Sequence, residues 1–165
     1  MQSRQTSGFT LVELLIVVAL IGILSALTAP FLMAARASGN EASAIGSLRA
    51  INSAQSTYAA SCARGSYAVD VDDLIAGAFL SEDMGFNPRS GFNFALAAGL
   101  NSQAGPIACD ATVPVTAYHA TGTPLSATTG RRGFSTNQAG TIWQDLTGVP
   151  PPEPFTAGGT ISPIQ

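Results

Sequence analysis

The feature that most constrains this chain is an apolar run from Phe9 to Ala35 in which Glu13 is the only charged residue. A helix needs about 20 such residues to cross a bilayer core of about 30 Å, so the run predicts one membrane-crossing helix. The leader before it, MQSRQTSG, carries Arg4, and Arg36 closes the far side. Arg4 and the initiator amine favour a cytoplasmic N-terminus. A secretory signal peptide has an apolar core of only about 7–15 residues and a small-residue cleavage site after it. Here the run is longer and the small residue, Gly8, precedes it. A plain signal anchor accounts for everything except Glu13. A carboxylate within a span costs about 2.5–3.5 kcal/mol on insertion scales, and less near the interface. Snorkelling to the headgroups is one offset. Another is the partial positive charge of a helix N-terminus, joined by a free amine if the chain is cut between Gly8 and Phe9.

The remaining composition narrows the function classes. Charged residues make up 10% of the 165 residues, against about 25% in ordinary soluble domains. Lysine is absent, and the net charge is −3 with the arginines scattered singly apart from Arg131 and Arg132. A nucleic-acid binder needs a basic patch, so no nucleic-acid partner is expected. Cys62 and Cys109 lie far apart, with His119 the sole histidine, which is too small an inventory for a structural zinc site. Asp70, Asp72 and Asp73 invite a calcium reading, but the loop lacks the Gly and Glu that an EF-hand requires. Asp70 or Asp72 is expected instead to cap a short helix around Asp72 to Ala78 that carries Leu74. No metal site or other cofactor is therefore expected. His119 lies in a strand signal without GxSxG, HExxH, P-loop or GxGxxG nearby, so an anchored enzyme is the weaker reading and no catalytic residue is assigned.

From Gly8 to Leu24 the chain reads GFTLVELLIVVALIGIL: glycine, phenylalanine, then a glutamate four residues after the phenylalanine, ahead of an apolar helix. This resembles the class III signal sequence of type IV pilins and of the pseudopilins of type II secretion, most of all a major type IV pilin. The resemblance implies cleavage after Gly8 by a prepilin peptidase and N-methylation of Phe9. It also implies that Glu13 of an incoming subunit pairs with the Phe9 amine of a neighbour in a helical homopolymer. Inner-membrane assembly platform and ATPase machinery are implied as partners. The subunit is expected as a single-pass inner-membrane protein before assembly and in an extracellular filament after it. Gly22 and Pro30 weaken a helix, by about 1 and 3 kcal/mol. In several members of the family the segment between such residues loses helicity in the packed filament. A type II secretion pseudopilin and a minor pilin are the alternatives to a major subunit.

Past Arg36, residues Ile45, Leu48, Ile51, Tyr58 and Cys62 share one side of a helix, which predicts an amphipathic second half lying against a sheet. Ser38-Gly39-Asn40 is a candidate break between the halves, although a continuous or gently bent helix from Phe9 to about Ala60 is preferred. Strand signals follow at 91–99, where Phe92, Phe94 and Leu96 alternate, then in VPVTAYHATG, RRGFSTN and GTIWQD, with a turn at Asn137 to Gly140. The expected fold is α+β and pilin-like, with one long N-terminal helix on a four-stranded antiparallel sheet. The expected organisation is a leader (1–8), a membrane and filament-core helix (9–35), an amphipathic helix (36–62) and a head (63–165). The head should end in a proline-rich tail from Val149 that is extended against it or partly free. Cys62 and Cys109 are candidates for a disulfide if the head is exported, free buried cysteines being the other reading. A bridge would contribute about 4 kcal/mol by loop closure.

Overall fold

Thr10 and Glu13 form the opening signal of a helix, and in the computed structural model, which describes residues 8–164, helix α1 begins there and runs from Leu11 to Ser61. Proline lacks the N–H that would bond Ala26, yet α1 is helical through Gly22, Pro30 and Ser38-Gly39-Asn40. The break considered at 38–40 is therefore absent. Side-chain contacts explain why: Asn40 Nδ2 donates to the Thr129 carbonyl (2.9 Å) and Glu41 receives the Arg131 N–H (2.7 Å), so both residues are fixed in helical geometry. The chain divides into two compact units, one up to Ala35 and one from Arg36.

In the first unit the large apolar residues are all well exposed, from Phe9 at 86% down to Val17 at 50%. This part of α1 is long and apolar enough to cross a membrane. No described residue buries it, and a helix apolar all round is stable only among lipid or other apolar surfaces.

The second unit is built on the remaining half of α1. Leu48, Ile51 and Tyr58 are fully buried, with Ile45 half-buried beside them. Residues three and four apart share a helix face, and that face meets Phe92, Phe94, Tyr118 and Phe134 of a sheet. The sheet is antiparallel throughout, in the order β1 (Phe92–Ala98), β2 (Tyr118–Pro124), β3 (Gly133–Asn137), β4 (Trp143–Asp145), β5 (Ile161–Pro163). It has five strands where four were expected. The fifth comes from the proline-rich tail, where Pro163 closes a three-residue run; proline is tolerated there because β5 is an edge strand. The second strand starts at Tyr118 rather than Val113, since Pro114 cannot donate to a ladder and Val115 bridges Tyr67 and Ala104 instead.

Between helix and sheet lies α2 (Val71–Ala76), capped by Asp70, whose carboxylate accepts the Asp72 N–H at 3.2 Å. Leu74 on α2 is fully buried. A 3-10 turn follows at Glu82–Gly85.

Polar side chains on the inner helix face fix the register. The Asn52 amide donates to Thr136 Oγ1 on β3 and accepts the Tyr118 hydroxyl from β2, both at 2.9 Å. Gln55, fully buried, donates to the Ala68 carbonyl (2.8 Å) and accepts the Ala68 N–H (2.9 Å). Each of these groups would cost about 1–3 kcal/mol if buried without a partner.

The outer sheet face is partly covered by the tail. Ser135 on β3 donates its hydroxyl to the Pro151 carbonyl (2.8 Å), and Phe155 stacks on Trp143 with ring centroids 5.5 Å apart. Glu153 accepts the Asn137 amide and the Leu100 N–H, each at 2.7 Å. From Pro151 to Phe155 the tail therefore lies against the head.

Candidate assembly site at the start of the apolar helix

Helix α1 leaves its first N–H groups without intrahelical partners. Thr10, Leu11, Val12 and Glu13 answer this with a capping box, in which the first and fourth residues bond reciprocally. The Thr10 N–H and hydroxyl donate to Glu13 Oε2 at 3.4 and 3.3 Å, and the Glu13 N–H donates to Thr10 Oγ1 at 3.2 Å. Glu13 thus sits in the first turn, where a negative charge is favoured by the helix dipole. The cap is legible in the sequence as T-x-x-E from Thr10 to Glu13. In the single chain Glu13 is satisfied at this turn while remaining exposed.

Gly8 and Phe9 precede the helix, outside any regular element and exposed. A peptide bond at such a place is open to a processing enzyme, whereas one inside the helix is not. Cleavage there would leave the Phe9 amine only one residue ahead of the cap.

Gly22 and Pro30 lie in the exposed part of α1, and no atom lies within 4 Å of where a Gly22 Cβ would stand. Close helix packing that demands a glycine is therefore not supplied by the described residues. The Thr28 hydroxyl donates back to the Ser25 carbonyl at 3.1 Å, which satisfies a polar group inside the apolar stretch.

The other candidates fall in the second unit. Cys62 and Cys109 are joined by a disulfide, with Cα atoms 4.9 Å apart, and it ties the end of α1 to the loop before β2. Beside it the Tyr58 hydroxyl meets Thr112 Oγ1 at 2.9 Å. His119 on β2 packs against Phe155 on the outer sheet face, and its buried Nε2 has no hydrogen-bond partner among the described residues. No nucleophile or carboxylate is positioned on that nitrogen. Nor, among the described residues, do three or more His, Cys, Asp or Glu side chains gather in a way that could hold a metal ion.

Residues 3–29 match the family described as the prokaryotic N-terminal methylation motif. This match is to the N-terminal signature that type IV pilins and pseudopilins share, and it covers the start of the chain alone. The chain is 43% identical over 58 residues to the type II secretion system core protein G of Pseudomonas aeruginosa. That match covers 35% of this chain and 41% of the relative, so the chain spans well under half of the relative's length. No solved structure matches it significantly.

Proposed function

We propose that the chain is a structural subunit of a type IV pilus-like filament. The observation that carries this reading is a carboxylate at the first turn of α1, at the head of an apolar segment whose large side chains are all exposed up to Met33. Such a helix must be held by lipid before assembly and by copies of itself after it, because apolar surface leaving the bilayer has to find other apolar surface.

In this reading residues 1–8 are a leader that a prepilin peptidase removes after Gly8, and Phe9 becomes the methylated N-terminus. Residues 9–35 span the inner membrane and then form the filament core, 36–62 carry the head, and 63–165 form its exposed surface outside the cytoplasm. Glu13 exchanges the Thr10 hydroxyl for the Phe9 amine of a neighbouring subunit. An assembly platform with its ATPase drives extraction from the membrane, and the Gly22 to Pro30 segment loosens as the helices pack. A major subunit is favoured because Glu13 is present.

A pseudopilin of type II secretion is the second reading, supported by the similarity to core protein G. It shares the apolar helix and differs in where the polymer goes. Mass spectrometry of filaments sheared from the native cells separates the two. A dominant chain beginning at methylated Phe9 is the result expected of a major pilin. A matured chain that stays with the membrane and is absent from surface filaments would favour the pseudopilin or a minor pilin, and an uncut leader would exclude all three. Glu13→Ala should abolish filaments while leaving the chain in the membrane; normal filaments from that variant would remove the assembly role of Glu13.

A further inference from the structure

At the end of the second unit where α1 carries Asn40 and Glu41, two loops come together: Leu125–Arg132 between β2 and β3, and Leu146–Val149 after β4. Asn40 holds the Thr129 carbonyl, and Glu41 holds the N–H groups of Arg131 and Arg132. Between the loops is a groove of about 470 Å³. On this lip Leu125, Leu146 and Val149 are 50%, 58% and 62% exposed. The exposed charges beside them are arginines, the one nearby acid besides Glu41 among the described residues being the buried Asp145, whose carboxylate is turned to the Thr147 N–H at 2.9 Å. Glu41 is buried and neutralised by Arg132 at 2.7 Å, while Arg131 and Arg36 are exposed and in no ion pair among the described residues. A chain of net charge −3 thus presents at this end exposed leucine and valine side chains beside unpaired arginines.

We infer that this lip docks on the surface of an anionic bilayer, with Leu125, Leu146 and Val149 at the acyl boundary and the Arg36 and Arg131 guanidiniums on lipid phosphates. The inference rests on the proposal that residues 9–35 span a membrane, and it adds a contact made by the head. Chain continuity supports it: Arg36 directly follows the apolar run, and Glu41 is five positions further along α1, about 8 Å of helix rise. Charge complementarity supports it as well, since apolar side chains flanked by arginine are the composition that binds the interface of anionic membranes. The opposite end of the unit, at the disulfide, has no such tie to the membrane segment: Tyr58 is about 27 Å along α1 from Asn40. Docking at the lip would hold the unassembled head against the membrane, and extraction into a polymer would have to release it.

The test uses the full chain in vesicles of phosphatidylglycerol with brominated acyl chains, on a Trp143→Phe background that keeps an aromatic ring against Phe155. Single tryptophans are placed by Leu24→Trp in the apolar run, Leu146→Trp on the lip and Val113→Trp near the disulfide. The lip tryptophan should be quenched at least ~2-fold more strongly than the one at 113. That difference should shrink when Arg36→Glu and Arg131→Glu are added, or when the vesicles are zwitterionic. Equal quenching at 146 and 113, with strong quenching at 24, overturns the docking and leaves the membrane span standing. Absent quenching at 24 overturns both. If the tryptophan at 146 is shielded only as protein is crowded on the vesicle, without bromine quenching, a second copy covers the lip and the proposal fails.

Discussion

Glu41 is charged and nearly buried, and its environment pulls in opposite directions. Burial acts to raise its carboxyl. The Arg131 N–H, the Arg132 side chain and backbone, and the guanidinium charge outweigh that and hold it below its ordinary value of 4.5. A carboxylate depressed in the fold contributes stability above its unfolded pKa and loses it as pH falls through the folded value. The head should therefore weaken as acid passes below about 4.5. Glu41→Gln should cost about 2–3 kcal/mol at neutral pH, because hydrogen bonds to a charged acceptor are lost, and it should flatten that acid limb. Urea titrations of the detergent-solubilised chain at several pH values would check both. Asp73 behaves oppositely: burial, then the charges of Asp70, Asp110 and Asp72, raise its carboxyl. Asp73→Asn should accordingly stabilise the head at pH 7 and lose that advantage on acidification; a destabilised variant at pH 7 would contradict this. Neither residue was legible as a stability determinant in the sequence. Glu41 meets Arg131 and Arg132 across a separation of about 90 positions, which no local pattern encodes.

The free edge of β1 is guarded by a side chain. Asn87 Nδ2 donates to the Phe94 carbonyl (2.7 Å) and its Oδ1 accepts the Phe94 N–H (3.0 Å), so an amide takes the place of a neighbouring strand. Unpaired edges recruit other chains. Asn87→Leu should make the solubilised protein self-associate, read by light scattering, while it remains folded by circular dichroism. On β3, Gly133 lies against the Val149–Pro150 backbone, and a Cβ there would collide with it. Gly133→Ala should destabilise by about 1–3 kcal/mol through overpacking and release the tail, seen as faster amide exchange from Val149 to Phe155. The alternation of Phe92, Phe94 and Leu96 and the stripe of Leu48, Ile51 and Tyr58 made the helix and the first strand readable before any coordinates. β5 was not readable, because Ile161 to Pro163 is too short to show a period and takes its conformation from pairing with Trp143 to Asp145. The same holds for the candidate site. The glycine, phenylalanine, glutamate and the T-x-x-E pattern could be read from order alone, whereas that Glu13 turns back to Thr10 in the single chain and stays exposed could not.

The two units answer to different solvents. The head closes its polar groups internally, through Asn52, Gln55 and Glu153, whereas the segment up to Ala35 offers apolar side chains and one capped carboxylate to whatever surrounds it. The head should therefore unfold as one cooperative step in urea while the apolar segment keeps its helicity in detergent, and circular dichroism beside tryptophan fluorescence would show the two signals separating. The bridge between Cys62 and Cys109 has a consequence for a subunit under mechanical load. It joins positions 47 apart, so the intervening chain cannot be drawn out when the head is pulled by its ends. At about 3.4 Å per extended residue, some 160 Å of contour is withheld until the bond is reduced. The bridge makes the head a short tether under tension, and a reductant turns it into a long one.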